Sequence, residues 1–195
     1  MMSEIWKPAV TVAAIIERNG LFFMIEEDTS EGRRINQPAG HLDPGESLID
    51  AVIRETKEET AHEFIPSHLV GIYLSRYVSK RHGLPVSYLR FAFAGELGDN
   101  YQHSLDVGIV RTMWMSYDEL IATKKSHRSE LIMKCVDDYL AGAYAPLSFI
   151  HTENNVTETL ALSESDVTDI SELKAANTLI SKILNKVTKQ WQKNA

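Results

Sequence analysis

The residues with the most chemical content stand between Gly40 and Glu59. On a helix turning about 100° per residue, Glu58 lies about 60° to one side of Glu55 and Glu59 about 40° to the other. Three carboxylates then share one narrow sector. Arg54 comes next to Glu58 at spacing i, i+4. Like charges so close raise one another's pKa and are unfavourable unless a cation intervenes. An all-oxygen ligand set suits Mg²⁺, with Mn²⁺ as a substitute, rather than zinc or copper. Such a site polarises a phosphoryl group and orients a water for attack. A solvated acidic face is the common alternative for a bare Glu-x-x-Glu-Glu. Three neighbours weigh against it: a glycine turn leads into the helix, Glu46 stands at its mouth, and Arg54 can pair with Glu46 or Glu58.

The helix that carries these residues is predicted over about 48–60. Ser47 reads as its N-cap, with Asp50 in the capping-box position. Leu48, Ile49, Val52 and Thr56 form an apolar stripe beside the glutamates, which puts the carboxylates at the margin of the buried face. Residues 10–16 are rich in β-branched types and read as a buried strand. Asn19-Gly20 then signals a hairpin, with 21–25 as the partner. The polar stretch 26–34 reads as loop. Residues 36–40 read as a short extended segment, where Pro38 demands an edge or a strand end. Further strands are expected at 70–78, 88–95 and 109–115, with a loop over 80–85. Ser116 caps a short helix to residue 122, and 129–141 reads as a longer one stopped at Gly142.

Gly40, Glu46 and the run Arg54-Glu55-Thr56-Lys57-Glu58-Glu59 reproduce the Nudix box at every charged position. The chain therefore resembles the Nudix hydrolases, which cut phosphoanhydride bonds with water. The resemblance departs at Thr56 and His62, where the box has aliphatics, and at Ala61, where it has glycine. Beyond the box, Trp6-Lys7-Pro8, Thr11-Val12-Ala13, Asn36 to His41, Leu89-Arg90-Phe91 and His127-Arg128-Ser129 are similar to the bacterial NudJ phosphatase subgroup. The likeness covers roughly residues 5–150. It implies an α/β fold, an α/β/α sandwich around a mixed sheet. It also implies that Gly40 offers a backbone carbonyl to the metal, and that Glu55, Glu58 and Glu59 are ligands, one of them also a general base. Glu46 and Arg54 would be the ion pair that orients the helix. The substrates implied are nucleoside di- and triphosphates and thiamine-type pyrophosphates.

Substrate contacts are read from residue types. A buried-face Arg90 in a strand needs an anionic partner, either a phosphate or a structural carboxylate. Arg128 stands near a helix start, where phosphate binding is favoured, or else on the solvated surface. His41 either meets a phosphate or fills its turn. Asp106 adds a distant carboxylate to the site or serves a turn. Trp114 reads as core rather than as a stack for a base, and Glu26 and Glu27 either face the pocket or decorate a loop.

The net charge of −7 over 195 residues provides no general field for nucleic acid or an anionic membrane. Cys135 is the lone cysteine, so an internal disulfide is impossible and a reducing, cytoplasmic home is expected. The first residues lack the apolar stretch of a signal peptide. Residues 151–169 are polar and read as a linker. Over 170–192, Ile170, Leu173, Asn177, Ile180, Leu184, Val187 and Trp191 follow heptad spacing and read as an amphipathic C-terminal helical extension. That stripe fits a homodimer seam or packing on its own domain. Two competing functions follow: a catalytically weak Nudix domain sensing a nucleotide or coenzyme, and an interaction protein that uses this helix.

Overall fold

In the computed structural model, residues 6–78, 83–101 and 103–157 are described. The C-terminal helix and most of the linker expected from the sequence lie outside these residues. β1 (Ala9–Arg18) organises the rest. Its β-branched and small side chains are buried on both faces, as a strand covered from two sides requires. Alternation then divides them. Ile15 enters one core, while Val12, Ala14 and Ile16 enter the other. Asn19 and Gly20 both take positive φ, 55° and 79°, and turn the chain into β2 (Leu21–Thr29).

β3 (Gly32–Asn36), β4 (Ala39–His41), α1 (Leu48–Thr60), β5 (His62–Val78), β6 (Pro85–Asn100) and β7 (Ile109–Ser116) follow. The capped turn α2 (Tyr117–Ala122), the helix α3 (Leu131–Leu140), the short β8 (Ala145–Pro146) and the single turn α4 (Asn154–Thr157) complete the described chain. The sheet runs β3-β2-β1-β6-β5-β8, with β4 on β1 and β7 on β2. β1 and β6 are parallel; the other pairs are antiparallel. Ala51 and Val52 of α1 pack on one side and Ile132, Met133, Cys135 and Val136 of α3 on the other. This is the expected helix-flanked mixed sheet.

The structure corrects several boundaries. Residues 26–34 are not a loop: β2 continues to Thr29 and β3 begins at Gly32. Their pairing sets Glu27 against Arg34 and Asp28 against Arg33. Of these, Asp28 and Arg33 form an ion pair at 3.3 Å, and the hairpin has no hydrophobic alternation to betray it. β5 starts eight residues before 70, and its register shifts after His62, Pro66 and Leu69. Each bulge resets the period of two, so the alternation is broken in the sequence. α3 begins at Leu131 rather than 129, with Glu130 at its N-cap.

α1 has the expected span. Ser47 accepts from the Asp50 N–H at 3.0 Å, satisfying one of the free donors of the first turn. Thr56, in place of an aliphatic, is fully buried and donates its hydroxyl to the Val52 carbonyl at 2.7 Å, so no polar atom is stranded. Ala61 closes the helix in the left-handed region at φ 60°. A Cβ is disfavoured there and glycine is not. Ala61→Gly is therefore expected to stabilise the protein by about 1 kcal/mol, a rise in Tm of a few degrees in thermal unfolding. An unchanged or lower Tm would show that the cap carries no strain.

Candidate active site

α1 delivers Arg54, Glu55, Glu58 and Glu59 to one end of the sheet, and the 40–46 turn folds back over them. Arg54 is the hub. Its Nε donates to Glu46 Oε2 at 2.9 Å and its Nη2 to Glu46 Oε1 at 2.7 Å, a two-pronged pair. The same Nη2 donates to the His41 carbonyl at 2.9 Å. Nη1 donates to Glu55 at 2.9 Å and to Glu58 at 3.0 Å. The sequence left Arg54 a choice between Glu46 and Glu58; it holds both, and Glu55 as well. The Glu46 carboxyl is held below its usual range by its bond to Arg54, and the Arg54 guanidinium is raised in turn, chiefly by Glu46. Asp43, which sequence reasoning passed over, comes within 3.8 Å of Arg54.

Glu59 is tied differently. Its Oε2 accepts from the Ala39 N–H at 2.8 Å, which joins the end of α1 to β4. Burial pushes its carboxyl up to about 8, against the pull of that bond, and the charges of Glu55, Glu27 and Asp106 push the same way. Burial also raises Glu55. Glu55 is 13% exposed and Glu58 41%, so Glu58 has the wetter position. Asp106 is close by: its N–H bonds to the Glu58 carbonyl at 3.0 Å, and its charge is felt by Glu59.

Gly40 lies on β4 opposite Val12 of β1. A Cβ built there would collide with the Glu55 carboxylate, so only glycine lets that carboxylate lie against the β4 backbone. The ligands that the resemblance implies, the Gly40 carbonyl with Glu55, Glu58 and Glu59, would offer only oxygen, the donor that hard cations prefer. Among the described residues no group of three or more such side chains stands ready in a metal-holding arrangement. Arg54 holds Glu55 and Glu58 through its Nη1. The donor chemistry and the glycine cradle fit a divalent cation, which would compete with Arg54 for those oxygens.

The outer residues sort less evenly. His41 reaches the centre through its carbonyl, while its ring stands 6.0 Å from that of Tyr88. Arg90 is buried, and burial lowers its guanidinium pKa. Arg128 is half exposed, 3.8 Å from Glu27. Glu27 accepts from Asn36 Nδ2 at 3.1 Å, and Glu26 pairs with Arg111 at 2.9 Å. Trp114 leans on Phe23, with ring centroids 4.8 Å apart, and borders a cavity of about 330 Å³ with Arg18 and His62. That cavity contains none of the glutamates, so the concavity lies apart from the chemistry. No helix of the described residues is long and apolar enough to cross a membrane.

Comparison with known proteins agrees with this geometry. The NUDIX domain family model matches residues 6–135. Phosphatase NudJ of Escherichia coli K12 is 33% identical over 148 residues, spanning 74% of this chain and 92% of that protein. A solved NUDIX hydrolase from Nitrosomonas europaea is 44% identical, with a TM-score of 0.69, and covers 75% of this chain and 98% of that one. A MutT protein from Methanosarcina mazei Go1 shares the fold at 19% identity and TM-score 0.57, covering 71% of this chain and 99% of its own. The chain belongs to the Nudix hydrolase family and is a pyrophosphohydrolase.

Gly40→Ala tests the cradle. The added methyl must displace the Glu55 carboxylate. A shift of about 1 Å at such a centre costs on the order of 10²-fold in rate. The variant is expected to fold, by circular dichroism, and to lose about that much kcat. A Gly40→Ala enzyme of normal kcat would remove Glu55 from the chemistry.

Proposed function

We propose that this enzyme uses Mg²⁺, or Mn²⁺ in its place, to hydrolyse the phosphoanhydride bond of nucleoside di- and triphosphates, with thiamine-type pyrophosphates as further substrates. The observation that carries the reading is the approach of Glu55 to Gly40 and of Glu59 to the Ala39 N–H, with Glu58 held beside Glu55 by Arg54. Burial raises the carboxyls of Glu55 and Glu59, and a cation beside them would relieve that cost. The similarity to a phosphatase, NudJ, supports attack that releases phosphate.

Gly40, Glu55, Glu58 and Glu59 would hold the divalent cation, which would neutralise phosphate oxygens and polarise the phosphoryl group. The protein does the rest. Arg54 and Glu46 hold the 40–46 turn against α1, so the carboxylates and the Gly40 carbonyl keep one geometry. In the reaction, the oxygen of a water bonds to phosphorus while the bridging P–O bond breaks, its electron pair leaving with the departing phosphate oxygen. The proton released by the water goes to a glutamate. Glu59 is placed for that task, its carboxylate held beside the centre by the Ala39 N–H. Arg90 and Arg128 supply positive charge for the substrate, and His41 borders the turn it would pass. The buried Cys135 thiol, raised to about 11 by burial, has no part in the chemistry and accords with a cytoplasmic home.

Purified protein assayed against nucleoside di- and triphosphates and thiamine pyrophosphate is expected to release phosphate with Mg²⁺ and to stop in excess EDTA. Undiminished turnover in EDTA would sink the metal reading. Exclusive cleavage of ADP-ribose or dinucleoside polyphosphates would overturn the substrate reading.

Glu59→Gln keeps the shape, and its carbonyl oxygen can still accept from Ala39. It removes the charge and the proton acceptor. A fall in kcat of about 10²-fold or more is expected with the fold intact, the scale seen when a group serving the transition state is lost. A near-normal kcat would place the acid–base chemistry elsewhere.

A further inference from the structure

The cavity of about 330 Å³ beside Trp114 is lined by none of the glutamates. It exists because the sheet opens there. β1 runs along β6 only from Ala9, opposite Tyr88, to Ile16, opposite Gly95. Past that point β1 leaves for its hairpin turn and pairs with β2 through Glu17 and Arg18. β6 continues to Asn100 with β5 as its strand partner. The gap lies between this end of β6, at Leu97 and Asn100, and the cross-strand pair Phe23–Trp114 of β2 and β7. Its volume is at the lower end of the roughly 300–1,000 Å³ that small-molecule sites take.

Three rings wall it. Phe23 meets Trp114 at 4.8 Å between ring centroids, tilted by 43°, and His62 at 5.7 Å, edge to face at 80°. Trp114 is only partly buried. His62 stands where the Nudix box has an aliphatic, and its ring is fixed from two sides. Its Nδ1 donates to the Thr60 carbonyl at 2.8 Å, and Asn100 Nδ2 donates to its Nε2 at 3.0 Å.

No carboxylate lines the cavity, and Arg18 is its one permanent charge. In a chain of net charge −7, that lining favours an anion and repels a cation. The Arg18 guanidinium stands over the Trp114 ring, 5.4 Å from its centroid, and has no carboxylate partner among the described residues. A guanidinium stacked on a ring keeps the N–H donors of its edge free, so it can hold the indole and an anion together. An aliphatic acid would meet Arg18 but forgo the tilted and edge-on contacts that rings offer one another. An uncharged aromatic would fill the gap and leave Arg18 unused.

We propose that this cavity is a second binding site, separate from the glutamate centre, for a flat aromatic molecule bearing one anionic group. The ring lies among Phe23, His62 and Trp114, and the anion meets the edge of Arg18.

Calorimetric titration of the full-length protein in Mg²⁺ tests it, with indole-3-acetate, indole-3-acetamide and cyclohexylacetate as probes. Indole-3-acetate is expected to bind at least about tenfold tighter than the uncharged amide or the ringless acid. Arg18→Gln should bring indole-3-acetate down to the affinity of the amide and leave hydrolysis without the probe unchanged. His62→Leu restores the aliphatic of the box; it should weaken indole-3-acetate about fivefold and spare cyclohexylacetate. AMP, titrated in parallel, separates the sources of the anion. Weaker AMP binding in Arg18→Gln assigns a nucleotide phosphate, and unchanged binding assigns a carboxylate. No binding of indole-3-acetate, equal affinity for its amide, or an affinity unmoved in Arg18→Gln overturns the site. A loss of hydrolysis in Arg18→Gln overturns its separation from the glutamate centre.

Discussion

Arg54 is the constraint on which the centre depends. One guanidinium ties together Glu46 from the turn, Glu55 and Glu58 from the helix, and the carbonyl of His41 from the end of β4. Without it the carboxylates would repel one another and the turn would lose its hold on the helix. Arginine suits this task because its planar fork offers five donors in fixed directions. A lysine could neutralise charge but could not serve three carboxylates and a carbonyl with that geometry. The partly buried Glu46 pair is also screened less than a surface ion pair would be.

Glu59 shows how the same crowding becomes useful. Its bond to the Ala39 N–H registers the end of α1 against β4, so the carboxylate cannot swing away into water. Burial then raises its proton affinity, and the nearby charges of Glu55, Glu27 and Asp106 add to the effect. The group is held where ionisation is costly. Whatever positive charge arrives there lowers that cost, which links cation binding to the position of a potential base. Gly40 allows the approach from the other side, since any side chain on β4 at that point would occupy the space of Glu55.

The surrounding sheet divides its work by face. The α1 side, with Val12, Ala14, Ile16 and Phe93, forms an apolar bed for the helix that bears the glutamates. The α3 side is apolar at Ile15, Ala92 and Ala94 but polar at Thr11, Arg90 and Gln37, near the end where β3 crosses toward β4. The helix α1 thus carries the glutamates and β1 and β6 carry Thr11 and Arg90, regular elements that fix positions better than loops could.

Much of the centre was legible in the sequence because helix geometry is local. The spacing of Glu55, Glu58 and Glu59 fixes their common sector, Ser47 announces the start of α1, and Asn19-Gly20 announces the hairpin turn. The β2–β3 hairpin was not legible, because its facing residues, such as Asp28 and Arg33, are charged and carry no apolar alternation. Nor was the start of β5, where bulges break the period. The partners of Arg54 were narrowed by spacing, but their full number depends on how the 40–46 turn folds over the helix. Thr11 and Arg90 are far apart in the sequence, and only the register of β1 with β6 sets them side by side. Residue types and short spacings determined the chemistry available to this protein. The tertiary structure decided which distant groups meet, because strand register and chain crossing are long-range properties that local spacing does not encode.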